Sequence, residues 1–283
     1  MNQTHHRSKP PQSKLFVEGR YKKLTRDLPQ TVFFCPECKG HPRRRKGCDR
    51  CEGFGKLTRD SVQELIGWVL GSEFKTRKNK FHGAGREDVD VRMLGTGRPF
   101  VMEMVAPKVL DVDLAAAEAE INRRNEGRME VHGLHWSEKS RIRVIKESPH
   151  AKTYQALIQV EGAIDPAKVQ ACMDMGRTVI AQETPSRVAH RRAEKTRERW
   201  IEIEALDSVE GAEDRLLLRM KTQHGTYVKE AVTGEAGSTK PSITGLLGVP
   251  CRCLELDVVG ILNEDGSPQE ITPRREQVFG AEI

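Results

Sequence analysis

The chain has 283 residues, of which 37% are hydrophobic, 31% charged and 5% aromatic, and its formal net charge is +6. Mean hydropathy is −0.59, no apolar run approaches the ~20 residues of a membrane span, and the polar N-terminus lacks the apolar stretch of a secretory signal. These features exclude a membrane-spanning protein and a secreted disulfide scaffold. They leave a cytoplasmic protein long enough for one large domain or two ordinary ones.

The charge is uneven. Residues 1–60 carry 15 basic and 6 acidic side chains, a net of +9, whereas the rest of the chain sums to −3. A basic segment on a near-neutral body fits nucleic-acid contact, although a solvated tail has the same composition. In chain order, residues 1–30 read as a basic flexible arm with a little structure near Leu15, Phe16 and Val17, and 31–57 as a compact Cys/Gly module. Residues 58–263 read as a packed domain, and 264–283 as a polar tail.

Asp60, with Gln63 three residues on, is expected to cap a helix whose buried face is Val62, Leu65, Ile66, Val69 and Leu70. Asp113 is expected to cap a second helix ending near Gly127. Asp165-Pro166 opens a third with proline at its first position. Short β-rich runs at 101–105, 154–160, 200–205, 215–222 and 253–259 are expected strands. Interleaved strands and helices predict an α+β fold with a mixed, mainly antiparallel sheet. No Gly-rich phosphate loop is present, so no nucleotide cofactor is expected.

Cys35-Pro-Glu-Cys38 and Cys48-Asp-Arg-Cys51 are two C-x-x-C knuckles, separated by nine residues. Four thiolates at this spacing suit one tetrahedral Zn2+, and a closed four-sulfur shell makes that zinc structural. The loop between the knuckles carries Arg43, Arg44, Arg45 and Lys46, four consecutive cations suited to phosphate contact. Cys172, Cys251 and Cys253 read as core or strand residues.

The segment Gly83–Phe100 mixes glycines, three carboxylates and three arginines before an apolar strand. Nearby cations keep such an acid ionised, so it can serve as nucleophile, base or metal ligand, or belong to a surface ion-pair network. Gly85-Arg86-Glu87-Asp88-Val89-Asp90-Val91-Arg92, with Gly97-Arg98-Pro99-Phe100, closely resembles the tRNA pseudouridine synthase 10 family of archaea and eukaryotes. Three further blocks agree in the family's order. They are Lys152-Thr153-Tyr154, then Gln182-x-Thr184-Pro185-x-Arg187-Val188-x-His190-Arg191-Arg192, then Lys221–Glu230 followed by Gly234 and Thr239–Ser242. The resemblance covers about residues 60–262.

The resemblance implies a pseudouridine synthase fold of two ferredoxin-like halves, flanked by helices, with a central cleft. It implies isomerisation of uridine to pseudouridine in the T arm of tRNA, at position 54, 55 or both, with no cofactor for the chemistry. The family's essential aspartate falls on Asp88, its active-site tyrosine on Tyr154, and the basic residue that pairs with the aspartate on Lys229. Asp90 flanks the same valine as Asp88, and spacing alone does not separate the two. RNA contact is expected from Arg43–Lys46, from Arg86 and Arg92, and from Arg187, His190, Arg191 and Arg192. Family members normally carry an N-terminal THUMP-type domain, for which this chain has little room. Either the zinc module and basic arm stand in for it, or a separate RNA-binding protein supplies it. The competing readings are a non-catalytic tRNA-binding or chaperone protein, a pseudouridine synthase with another RNA target, and a zinc-dependent hydrolase.

Overall fold

The computed structural model describes residues 13–191 and 193–271, with backbone only at 190 and 191. In chain order its elements are β1 (Lys14–Lys23), α1 (Val62–Glu73), β2 (Lys78–Gly83), β3 (Val91–Val105), α2 (Leu114–Arg124) and β4 (Met129–Ser137). Then come α3 (Lys139–Glu147), β5 (Lys152–Val160), α4 (Pro166–Asp174), β6 (Arg177–Gln182), β7 (Arg197–Val209) and β8 (Ala212–Thr222). The last are α5 (Val228–Thr233), β9 (Thr239–Lys240), α6 (Ile243–Leu247) and β10 (Cys251–Ile261). No helix among the described residues is long and apolar enough to cross a membrane.

All ten strands join one sheet in the order β4-β1-β3-β10-β5-β8-β7-β6-β9, with β2 on the far half of β3. Every strand pair in it is antiparallel except β3 with β10, which run parallel from Val91 beside Leu256 to Met93 beside Val258. The expected α+β class with a mainly antiparallel sheet is therefore correct. Helices α1 and α2 pack on the half containing β1–β4, and α4, α5 and α6 on the other half. A single large apolar core runs through both halves. The parallel seam is where the two halves meet, and the acidic loop sits immediately before β3.

The helical expectations hold with one shift. Val62, Leu65, Ile66, Val69 and Leu70 are all buried on α1, but its cap is Ser61, whose Oγ accepts from the Glu64 N–H while bonding the Glu64 carboxylate. The Ser-x-x-Glu spacing is that of a capping box, with the glutamate here bonding the serine hydroxyl. Asp60 turns away to take both guanidinium nitrogens of Arg128 at 3.0 Å. Asp113 and Asp165 cap α2 and α4 as expected.

The larger correction concerns the proposed flexible arm. Residues 1–12 lie outside the described residues, but Lys14–Lys23 form β1, paired with β3 on one side and β4 on the other. Three of its charged residues, Glu18, Arg20 and Lys23, are buried because other groups of the fold satisfy them. Arg20 bonds the carbonyls of Thr96 and Gly97 at 2.8 and 2.9 Å. Glu18 accepts two hydrogen bonds from Arg141. Beside them β3 bulges at 94–97, where Gly97 has φ +75° and a Cβ would stand 2.6 Å from the Tyr21 carbonyl oxygen. Only glycine fits that approach. The presumed polar tail is also partly structured: Gln269 N–H bonds the Ile261 carbonyl, and its side chain accepts from Arg20. Residues 272–283 lie outside the described residues.

A buried ion pair holds the acidic loop. Glu87 and Arg98, both side chains 1% exposed, meet at 2.8 Å. The Tyr21 hydroxyl donates to the Glu87 carboxylate, and Gln30 donates to the Tyr21 hydroxyl and to the Gly85 carbonyl. Arg98 also bonds the Ala84 carbonyl at 2.8 Å. Lys23, fully buried, spends its three donors on the carbonyls of Leu28, Asp88 and Val89 at 2.8–2.9 Å. Burial lowers its pKa to about 8, with Arg98 acting the same way and the nearby carboxylates opposing. Two strands' worth of buried polar groups thus fix the backbone on either side of Asp88.

Breaking a buried ion pair from one side strands the other charge and costs about 3–5 kcal/mol. Arg98→Met is therefore expected to lower unfolding free energy by about that amount in urea titrations, and Glu87→Gln in the same background to recover part of it. A loss below about 1 kcal/mol would contradict the role given to the pair. Glu103 on β3 makes a second, acid-sensitive lock with Lys14 at 2.6 Å and His82 at 3.2 Å. Burial works against its charge, but these hydrogen bonds prevail and hold its pKa at about 2. Its contribution is complete above the unfolded value near 4.5 and is lost as pH falls toward 2. Glu103→Gln should flatten the stability–pH curve between pH 4.5 and 2, by roughly 1–2 kcal/mol after solvent screening of the lysines.

Candidate active site

Asp88 lies in the turn before β3, where the Val91 N–H bonds the Asp88 carbonyl at 3.1 Å. It opens onto a cleft of about 560 Å³ at the seam between the two halves of the sheet, lined also by Tyr154, Arg187, Arg199, His224 and Lys229. The three residues expected to be catalytic, Asp88, Tyr154 and Lys229, therefore share one cavity although they stand 66 and 75 positions apart.

Their pairing differs from the expectation. The Asp88 carboxylate is met at 2.6 Å by Arg187, whose other nitrogens hold Glu230 at 2.6 and 3.1 Å. Lys229 instead bonds Asp90 at 2.6 Å. The reason is local. Asp88 and Asp90 sit on opposite sides of a turn, so each meets a different cation, and the two acids, alike by spacing, are told apart by their partners. Burial opposes the charge on Asp90, but the Lys229 hydrogen bond and charge outweigh it and hold its carboxyl below the ordinary range. Burial likewise opposes the charge on Arg187, and Glu230 with Asp88 more than restore it. Arg187 stays a cation under all ordinary conditions.

Tyr154 opens β5 beside Val258 of β10, and its ring packs against the core from the cleft wall. Burial, reinforced by Glu87 and Asp88 and opposed by Arg98, pushes its hydroxyl up to about 12. The phenol is protonated at neutral pH. Lys152, two residues before it on the same strand, is buried and donates to the His150 carbonyl at 3.0 Å. Burial first, then Arg98, lowers its pKa to about 7. The buried Nε of Arg199, in the same wall, has no hydrogen-bond partner among the described residues.

The remaining expected contacts divide. Arg86 is exposed and lines the cleft. Arg92 is committed to Asp257 through a two-point contact at 2.9 and 2.5 Å, so it ties β3 to β10 across the seam. The side chains of His190 and Arg191, and all of Arg192, lie outside the described residues. Earlier in the same block, Arg187 bonds Asp88 and Glu230, and the Ser186 hydroxyl donates to Glu235 at 2.6 Å.

The four knuckle cysteines are buried together, and their sulfurs lie within 4.8 Å of one another, close enough to share one metal ion. Cys35 faces Cys48, and Cys38 faces Cys51, at 3.7 Å. The Gly55 N–H donates to Cys51 Sγ at 3.1 Å, as an amide does to a thiolate ligand. The module is tied to the domain at both ends, by Gln30 and by Lys56, which pairs with Glu64 of α1 at 2.6 Å. Arg43, Arg44, Arg45 and Lys46 are all exposed.

Sequence reasoning missed Tyr21, Lys23, Gln30 and the Arg187–Asp88 contact. The one available signal was Lys23 itself, a second lysine in a run whose neighbours Val17 and Tyr21 alternate as a strand would.

The family model described as "Pus10, C-terminal" matches residues 16–262. The protein named tRNA pseudouridine synthase Pus10 of Methanothrix thermoacetophila is 41% identical over 87% of this chain and 53% of its own length. That of Methanothermobacter marburgensis is 44% identical over 87% of this chain and 60% of its own length. A crystal structure of a Cbf5-Nop10-Gar1 complex aligns at a TM-score of 0.40 and 19% identity, over 71% of this chain and 44% of that one. The chain spans little more than half the length of these curated relatives. With a family match that runs from β1 to the end of β10 and takes in both the cleft and the four-cysteine module, the chain belongs to the Pus10 family.

Proposed function

We propose that the protein is a cytoplasmic tRNA pseudouridine synthase that isomerises a uridine in the T arm, at position 54, 55 or both. The observation that carries this reading is the Asp88 carboxylate, paired with Arg187 at 2.6 Å, at the opening of a cleft walled by Tyr154. The names of the curated relatives support the reaction class.

The reaction breaks the N-glycosidic bond, turns the base and rejoins it through carbon 5. It needs no redox change. A flipped nucleotide enters the cleft, at a cost of a few kcal/mol. Stacking on Tyr154 returns about 1–3 kcal/mol of that cost. Asp88 then acts as an ionised carboxylate, either attacking the ribose or removing a ribose proton. Arg187 orients it, and the buried network beneath fixes its backbone. Lys229 holds Asp90 on the other side of the turn and is the second cation of the site. Tyr154, protonated at neutral pH, offers its hydroxyl for proton movement at carbon 5. Arg86 and Arg187 hold the RNA backbone at the rim, the exposed cations Arg43–Lys46 add to that contact, and His190, Arg191 and Arg192 supply further contacts by their chemistry. Zinc in the four-cysteine shell is structural: it supplies no chemistry to the cleft and staples the knuckles.

Two experiments test this. Unmodified transcribed tRNA is incubated with the protein, and pseudouridine is mapped by carbodiimide adducts and primer-extension stops. Wild type is expected to give stops in the T arm and Asp88→Ala none, while Arg187→Met lowers kcat at least tenfold. Tight tRNA binding without stops would favour a binding protein. In the second, the purified chain is expected to carry one zinc per molecule by elemental analysis, and Cys48→Ser to lose it together with local protection of residues 31–57 from proteolysis. An intact knuckle without metal would contradict the structural role.

A further inference from the structure

The four-cysteine module keeps its aromatic rings outside. Its own buried cluster consists of the four cysteines alone. Phe33, Phe34 and Phe54 are 39%, 52% and 49% exposed, whereas Phe74, Phe81 and Phe100 lie in or against the main core. Rings that a small module does not use for packing normally cost solubility, and clustered exposure of this kind marks an interaction surface.

The rings are also placed beside the cations. Cys35 N–H bonds the Gly55 carbonyl and Leu57 N–H the Phe33 carbonyl, so the two ends of the module run side by side. A Cβ on Gly40 would stand 2.5 Å from the Phe34 ring, and one on Gly55 would stand 3.3 Å from Cδ of Arg45. Gly40 and Gly55 touch each other, so the Phe34 ring and the Arg45 stem flank one glycine contact. The Lys56 ammonium lies 5.2 Å from the centre of the Phe54 ring. Arg43, Arg44 and Lys46, the chain neighbours of Arg45, are exposed as well. A protein partner with an apolar face leaves these cations unpaired. A duplex leaves the rings unused. A nucleic acid with unpaired bases uses both, the phosphates on the cations and the bases on the rings.

We propose that this face of the four-cysteine module binds an unpaired stretch of RNA, with Phe34 and Phe54 stacking on bases and Arg43–Lys46 holding the backbone. This deepens the reading of the protein as an RNA-modifying enzyme and rests on it for the identity of the natural RNA. The face would recognise loop nucleotides of the substrate outside the catalytic cleft.

The test uses the full chain with its metal and two fluorescein-labelled probes: a 12-nucleotide oligouridylate and a 12-base-pair RNA duplex. Binding is followed by anisotropy over a range of KCl concentrations. Phe34→Leu/Phe54→Leu, which keeps apolar bulk and removes the rings, is expected to weaken oligouridylate binding about tenfold or more. Its salt slope should be unchanged and its duplex binding little altered. Neutralising Arg43, Arg44, Arg45 and Lys46 to Gln is expected to flatten the salt slope for both probes. Metal content and thermal melting of each variant confirm folding. Oligouridylate binding equal to wild type in the Phe variant, or an equal loss for both probes, overturns the proposal. Pseudouridine formation on tRNA is read in parallel. Active enzyme with an unchanged Phe variant refutes the surface alone, whereas ring-dependent binding by a wild type that makes no pseudouridine refutes the catalytic reading alone.

Discussion

The buried contact between Glu87 and Arg98 is the constraint on which the site depends. A carboxylate and a guanidinium, both almost wholly removed from water, are tolerated only when every remaining polar atom finds a partner. Tyr21, Gln30 and the Ala84 carbonyl supply those partners, and Lys23 does the same for the carbonyls of Asp88 and Val89. The consequence is directional. The residue after Glu87 has little choice but to project from a rigid base into the cleft. The acid proposed to do the chemistry is therefore positioned by buried groups drawn from β1, from the middle of β3 and from the connection between β1 and the four-cysteine module.

A division of charge follows. Glu87 is buried and structural, Asp88 opens to the cleft with Arg187, and Asp90 is held by Lys229. Three nearly adjacent carboxylates thus have three separate cations and three separate tasks. Arg187 has a further effect. By bonding Asp88 and Glu230 together it ties the segment before β7 to both the acidic loop and α5, so one side chain links the wall of the cleft to its acid. Arg92 does similar work across the seam, joining β3 to Asp257 of β10 rather than reaching for RNA.

Much of this was legible in the residues. Five of the ten strands of the described residues were found, β3, β5, β7, β8 and β10, each somewhat shorter than it is, and Asp113 and Asp165 cap the helices they announce. The knuckle spacing brought four sulfurs together, and the four ordered blocks named the family. What was not legible shares a physical cause. Lys14–Lys23 reads as a solvated basic arm because Glu18, Arg20 and Lys23 look exposed in any local window. Apart from the Leu28 carbonyl, which Lys23 reaches five positions on, the partners that bury them stand 65 to 249 positions away. Asp60 and Ser61 are comparable caps in isolation, but Arg128 claims the Asp60 carboxylate and leaves the cap to the serine. Which of Asp88 and Asp90 meets Lys229 depends on the side of a turn, and no spacing rule contains that.

The central claim is that Asp88, held in this way, isomerises uridine. Forming the new bond at carbon 5 releases the hydrogen there, so tRNA transcribed with 5-tritiated uridine reports the reaction directly. The account predicts that wild type releases tritium to water in proportion to the uridines modified, and that Asp88→Asn, bound to the same tRNA with comparable affinity, releases none. Tritium release that survives Asp88→Asn, or its absence in wild type saturated with tRNA, would contradict it.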